Sequence, residues 1–154
     1  MFNQRIVKKG VQDVKGTVAA IKEWFESNDF HWVETRNITK EKDKGIEFDI
    51  AFKGEKDIED YFRRQVEVEI LLTRVKKVKV QDMVLENANI EVLVRGTLIT
   101  DYQNLYASPI REFWQKLQER YVIKKDRKDQ VGRTYTETQD LVETIKAALG
   151  MPSS

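Results

Sequence analysis

Apolar residues recur along the chain with two periods, one that suits helices and one that suits strands. Near the N-terminus they follow steps of three and four, which predicts an amphipathic helix from Val11 to about Ser27. The turn formers Asn28 and Asp29 follow and end this helix. Its apolar stripe consists of Val11, Val14, Val18, Ile21 and Phe25.

Four later segments alternate apolar and polar residues, a period typical of strands with one face on the core. The first two flank the charged turn 40–45, so they predict an antiparallel hairpin. The fourth also carries apolar residues on its second face, which is typical of a strand inside a sheet. The predicted strands are 30–37, 46–53, 66–80 and 90–98, and 81–89 is predicted as a loop.

Helical signals mark three other segments. Asp57 is a suitable N-cap for a short helix between the second and third strands. Ser108 followed by Pro109 predicts the start of a longer helix. Thr134 and Glu137 have the spacing of a capping box, which predicts the start of the last helix. The two later helices are predicted over 108–121 and 134–149, joined by the charged connector 124–133.

The predicted order is therefore helix, two strands, short helix, two strands and two helices. Strands grouped in hairpins favour an α+β fold, here a four-stranded, curved antiparallel sheet packed on helices. The length suits one domain, 1–154. In architecture alone, this plan resembles helix-grip proteins, in which a curved sheet wraps a long C-terminal helix, although the strand count differs.

Composition narrows the class of protein. The 154 residues are 40% hydrophobic, and 27 basic side chains nearly balance 26 acidic ones, which argues against a globally basic nucleic-acid binder. The chain has no cysteine, which excludes disulfides and thiolate chemistry and fits a cytoplasmic protein. We expect no secretory signal and no membrane span, because no apolar run is long enough.

Familiar catalytic patterns are missing from the sequence. His31 is the single histidine, and its place beside Phe30 and Trp32 favours an ordinary strand residue near the surface. The glycines are scattered one at a time, so they form neither a P-loop nor a dinucleotide-binding motif. Ser108 is better explained as a helix cap than as a nucleophile. We therefore predict no catalytic residue and no cofactor.

A cluster of carboxylates raises the question of a metal site. Such oxygen-rich groups bind Mg²⁺ or Ca²⁺ in other proteins. Arg63 and Arg64 follow at helical spacing, however, so we favour ion pairs at the surface over a metal. The cluster consists of Glu55, Asp57, Glu59 and Asp60.

Two basic groups and two aromatic residues are the candidate binding residues. In the first group, either a bulge near 73–75 turns most of the charges to water, which we favour, or an open sheet face presents Arg74 and Lys76 to a ligand. Trp32 and Tyr102 are the aromatic residues expected to be partly exposed. The basic groups are Arg74, Lys76, Lys77 and Lys79 on a strand, and Lys124, Lys125, Arg127 and Lys128 on the connector.

These observations favour a non-catalytic binding or adaptor module that engages a protein or a small ligand through its sheet and helices. The alternative is a nucleic-acid-associated accessory protein that uses the two basic groups, and a carboxylate-dependent enzyme comes third. Self-association is a further expectation, because the strand 46–53 has a regular apolar face and we expect it at a sheet edge.

Overall fold

The computed structural model describes residues 2–42, 45–58, 62–80, 83–100 and 124–151. These ranges contain five strands and two helices in an α+β arrangement. The strands are β1 (Phe2–Gln12), β2 (His31–Lys42), β3 (Gly45–Asp57), β4 (Phe62–Val80) and β5 (Met83–Thr100), and the helices are α1 (Val14–Ser27) and α2 (Lys124–Ala148).

All five strands form one antiparallel sheet in the order β1-β5-β4-β3-β2. Gly54, Val66 and Gly96 face one another across β3, β4 and β5. A Cβ atom on Gly54 would meet Phe25 of α1, and a Cβ atom on Gly96 would meet Thr138 of α2. Both helices therefore pack on the same face of the sheet, close to its backbone.

The prediction of four strands is wrong, because β1 adds a fifth strand beside β5. The inner face of β1 carries the buried Ile6 and the partly buried Phe2, but Gln4 and Lys8 alternate with them. This mixed face hides the strand period in the sequence. The pairing of β1 with β5 also joins residues that lie far apart along the chain, so no local hairpin signal exists.

The predicted short helix after Asp57 is also wrong. Asp57 ends β3 and pairs with Arg63 of β4, and Phe62 already belongs to β4. The inner-facing positions of β4 begin with Phe62, Arg64 and Val66, all of which are buried. Arg64 interrupts the alternation of apolar and polar residues, so the sequence pattern does not reveal the start of this strand.

The C-terminal part differs in two ways from the prediction. α2 begins at Lys124, so residues 124–133 are helical rather than a connector, and Thr134 lies inside the helix. β5 begins at Met83, so most of the predicted loop 81–89 is strand. The predicted helix 108–121 lies outside the described residues.

Other predictions are confirmed. The first helix ends at Ser27 as expected, although it starts at Val14, with Asp13 as N-cap accepting a hydrogen bond from the Gly16 amide at 3.0 Å. β2 and β3 form the predicted hairpin, and β5 is an internal strand. β3 is internal too, however, so the expectation that 46–53 forms a sheet edge is wrong; the edges are β1 and β2.

A single cluster of buried apolar residues lies between the described helices and the sheet. It joins α1 and α2 to the inner faces of β1, β3, β4 and β5, and the partly buried Trp32 of β2 packs against it. Its largest fully buried side chains include Phe25, Phe52, Ile70, Leu141 and Ile145. Neither of the helices in the described ranges combines the length and the apolar composition that crossing a membrane requires.

Candidate functional site

An apolar groove lies on the inner face of the sheet between α1 and the strands β3 and β4, and is here called the α1 groove. Its volume is about 520 Å³. Of the nine lining residues within the described part of the chain, seven are apolar and the other two are lysines of α1. The lining consists of Val14, Lys15, Val18, Ala19, Lys22, Phe48, Ile50, Leu72 and Val75.

The α1 groove is open because the helix presents short side chains there. Val18 and Ala19 lie opposite Phe48 and Ile50 of β3, and Ala19 is exposed. Phe48, Ile50 and Val18 are only partly buried, although they pack against the central core. The described structure therefore leaves an apolar wall partly accessible at this end of the sheet.

Two lysines border the α1 groove. The half-buried Lys22 places its Nζ atom 5.5 Å from the centre of the Trp32 ring and 5.8 Å from that of Phe52, within the range of cation–π attraction. Lys15 is exposed and lies two turns closer to the start of α1. Among the described residues, neither lysine forms an ion pair with a carboxylate.

A buried ionic network occupies the other end of the sheet. Glu137 of α2 accepts hydrogen bonds from Lys56 of β3, at 2.6 Å, and from Arg64 of β4. Arg64 also donates to Thr134 Oγ1 at 2.9 Å and to Gln130 Oε1 at 3.1 Å, so its guanidinium is well satisfied although only 4% exposed. This network fixes α2 to the sheet, because both cations belong to neighbouring strands and the carboxylate belongs to the helix.

Burial affects the pKa values of Lys56 and Arg64. It lowers the pKa of Lys56, the nearby Arg64 charge lowers it further, and Asp29 opposes the change. Burial and the charge of Arg133 likewise lower the pKa of Arg64. The Glu137 carboxylate compensates the two positive charges, so we assign this network a structural role.

A second cavity, here called the α2 cavity, lies between α2 and the ends of β1 and β5. Its volume is about 480 Å³. The rings of Phe2 and Tyr135 meet edge to face at 4.9 Å on one wall, and Val131 is exposed beside them. Its lining is more polar than that of the α1 groove and includes Asn3, Thr97, Arg127 and Thr134.

The structure places the first basic group at a register shift of β4. The pairing with β5 changes register between Thr73 and Lys76, at the position where the sequence predicts a bulge. The side chains of Arg74, Lys76, Lys77 and Lys79 lie outside the described part of the chain. Their contact with a ligand or nucleic acid stays a prediction.

Among the remaining candidate residues, the structure describes the side chains of Trp32, Arg127 and Lys128, which lie on two separate elements. Trp32 is partly buried on β2, as expected, and contacts Lys22 at the side of the α1 groove. Tyr102 and the side chains of Lys124 and Lys125 lie outside the described residues. Arg127 and Lys128 are exposed on α2, and Arg127 lines the α2 cavity.

The carboxylate cluster is placed differently from the prediction. Glu55 and Asp57 both contact Arg63, at 3.2 Å and 2.8 Å, across the β3–β4 hairpin rather than along a helix. Glu59 and Asp60 lie outside the described residues. Within the described ranges, no group of three or more histidine, aspartate or glutamate side chains is arranged to hold a metal ion.

The residues of the α1 groove were not among the sequence-based candidates. One signal for them exists: Lys15, Val18, Ala19 and Lys22 follow helical spacing, with two small residues between two lysines on one side of α1. The opposite wall, formed by β3 and β4, has no such local signal. No known protein family matches the chain, and no curated protein matches it in sequence, so the function is inferred from the geometry of this groove.

Proposed function

We propose that the chain is a non-catalytic binding module that holds one small, largely apolar ligand in the α1 groove. The observation that carries the proposal is a cavity of about 520 Å³ with apolar walls that remain partly accessible. Ligand pockets usually measure about 300–1,000 Å³ and are lined mostly by apolar side chains with a few polar groups. The α1 groove has this size and composition.

The energetic reason is the exposure of Phe48, Ile50 and Val18. Covering apolar surface stabilises a complex by roughly 25 cal/mol per Å² removed from water. A ligand that fills the space between α1 and β3 would cover these side chains without moving the sheet. A concave space between a helix and a sheet favours a small molecule over the flat surface of a protein partner.

The composition of the chain and the lining of the groove both support a binding role rather than catalysis. The chain has one histidine and no cysteine, and His31 is exposed at the start of β2, away from the groove lining. The described lining of the groove consists of apolar residues and lysines, which suit the holding and orienting of a ligand and include no pair of acid and base. We place the module in the cytoplasm, which its lack of cysteine fits.

The test is a fluorescence titration with Nile red, an uncharged dye that brightens in apolar surroundings. We expect saturable binding to the folded protein. Ala19→Trp fills the α1 groove from an exposed helix position and should weaken binding at least about tenfold, because an indole would occupy the space that the dye needs. Ala147→Trp is the matched control, because Ala147 is exposed on α2 and lines neither cavity.

Two results would contradict the proposal. One is the absence of saturable binding to the folded wild-type protein. The other is unchanged binding by Ala19→Trp together with loss of binding by Val131→Trp, which would place the dye in the α2 cavity instead.

A further inference from the structure

We infer that the ligand of the α1 groove is an amphiphilic anion, an apolar body with one carboxylate head as in a medium-chain fatty acid, and that Lys22 binds the head. The inference rests on the proposed function, since it names the chemical class of the ligand held in the same groove.

The first observation is the charge of the groove. Among the lining residues that the structure describes, the two polar ones are Lys15 and Lys22, and both are cationic. On the outer face of the sheet, by contrast, two cations form ion pairs with carboxylates: Arg5 contacts Glu91 at 3.0 Å, and Arg36 contacts Asp49 at 2.9 Å. The described structure gives the two groove lysines no carboxylate of this kind. An apolar cavity bordered by uncompensated cations complements an apolar ligand with a negative head.

The second observation distinguishes Lys22 from Lys15. The Lys22 side chain is partly buried, and its ammonium group lies beside the Trp32 and Phe52 rings, so Lys22 loses less conformational entropy when a ligand binds. A charge in partly dry surroundings also attracts an opposite charge more strongly than one in water. Lys15 is exposed, so its attraction for the ligand is screened.

The dimensions of the groove agree with a head at Lys22 and a body that extends along α1. Residues 15 and 22 are two turns apart, which corresponds to about 10 Å along the helix axis. The apolar residues Val18, Leu72 and Val75 line the path between them. This path suits a flexible chain lying parallel to α1.

A single free molecule fits these observations better than a membrane surface does. Membrane-binding surfaces present apolar side chains outward from a face ringed with cations. Here the apolar walls of α1 and β3 face each other across a concave space, and the cations belong to one helix. The groove therefore receives one chain at a time.

The experiment is isothermal titration of the folded protein with three ten-carbon amphiphiles below their micelle concentrations: decanoate, 1-decanol and decyltrimethylammonium. We expect decanoate to bind at least tenfold more tightly than decanol, and the cation to bind weakest. Lys22→Gln should reduce the preference for decanoate over decanol to within about twofold. Lys22→Arg should keep the preference, and Lys15→Gln should reduce it only a few-fold.

Lys9→Gln is the control for a general loss of positive charge, since Lys9 is exposed on β1 and does not line the groove. Equal binding of decanoate and decanol by the wild-type protein would overturn the inference and leave the proposed function standing. The same holds if Lys22→Gln and Lys9→Gln change decanoate binding equally. If the protein sediments with phosphatidylglycerol vesicles but does not bind free decanoate, the inference of a single free ligand is wrong and a membrane surface is the partner. If neither Nile red nor any amphiphile binds, the proposed function itself fails.

Discussion

The two halves of α1 pack on the same sheet with opposite results. At the C-terminal half, Trp24, Phe25 and Phe30 form an aromatic cluster with ring centres 5.4–5.8 Å apart, and all three are at most 5% exposed. At the N-terminal half, Val18 and Ala19 leave the α1 groove open. We call the first region the closed end and the second the open end.

Both halves of α1 carry apolar residues on the inner side, so apolar character does not distinguish them. The difference arises from the size of these side chains and from the contacts of α1 with α2. At the closed end, the aromatic rings fill the space to the sheet, and Trp24 Nε1 donates a 2.9 Å hydrogen bond to Asp140 of α2. The network around Glu137 fixes the same helix to β3 and β4. At the open end, the apolar residues that α1 contributes to the groove lining are the small Val14, Val18 and Ala19. The hydrogen bond from Trp24 to α2 has no counterpart among the described contacts of these residues. One amphipathic helix can thus be core along half its length and a cavity wall along the other.

The largest expected contrast comes from removing apolar volume at each end. Phe25→Ala should lower the free energy of unfolding by about 3–5 kcal/mol, because Phe25 is fully buried and its loss leaves a cavity. Val18→Ala should cost about 1 kcal/mol or less, since Val18 already borders open space. Urea unfolding measures both. Similar losses for the two variants would contradict the distinction between the ends.

The second contrast concerns charge. Glu137→Gln removes the carboxylate that compensates Lys56 and Arg64, and breaking such a part-buried group should cost about 3 kcal/mol. Lys22→Gln should lower the free energy of unfolding by no more than about 1 kcal/mol, because it removes the cation–π contacts with Trp32 and Phe52 but no described ion pair. Thermal unfolding at neutral pH compares the variants. A loss below about 1 kcal/mol for Glu137→Gln would show that the network is not essential to the packing of α2.

The smallest contrast comes from adding volume. In Gly54→Ala, the new Cβ atom would lie 2.5 Å from Phe25 Cε1, so the closed end must shift, and we expect a loss of about 1–3 kcal/mol. Ala19→Leu at the open end should instead stabilise the protein by about 0.5–1 kcal/mol, since the larger side chain covers part of the apolar wall. Urea unfolding gives the signs. The same sign for both variants would contradict the assignment of open and closed ends.

Sequence patterns predicted those elements in which local periodicity and burial agree. α1 has a continuous helical stripe, and β2 and β3 are joined by a short charged turn, so their pairing is local. The start of β4 does not follow the apolar period of a strand, because the charged Arg64 occupies a buried inner position. It is stable there because Glu137, Thr134 and Gln130 satisfy it from a helix that lies 66–73 residues away in sequence.

The candidate site was less predictable than the fold. Basic runs and exposed aromatic residues can be identified as candidate binding residues from the sequence, because they depart from the average composition. The α1 groove consists of ordinary apolar residues and two isolated lysines from three separate elements, α1, β3 and β4. Of the candidate residues whose side chains the structure describes, Trp32 lies beside it, through its contact with Lys22.

The sequence by itself determined the α+β class, the first helix, the central hairpin and the lack of familiar catalytic patterns, because each depends on composition or on neighbours along the chain. Tertiary structure decided the place of β1, the burial of Arg64 and the existence of the α1 groove. A cavity is the space that packed elements fail to fill, so it depends on how distant side chains meet rather than on any one segment.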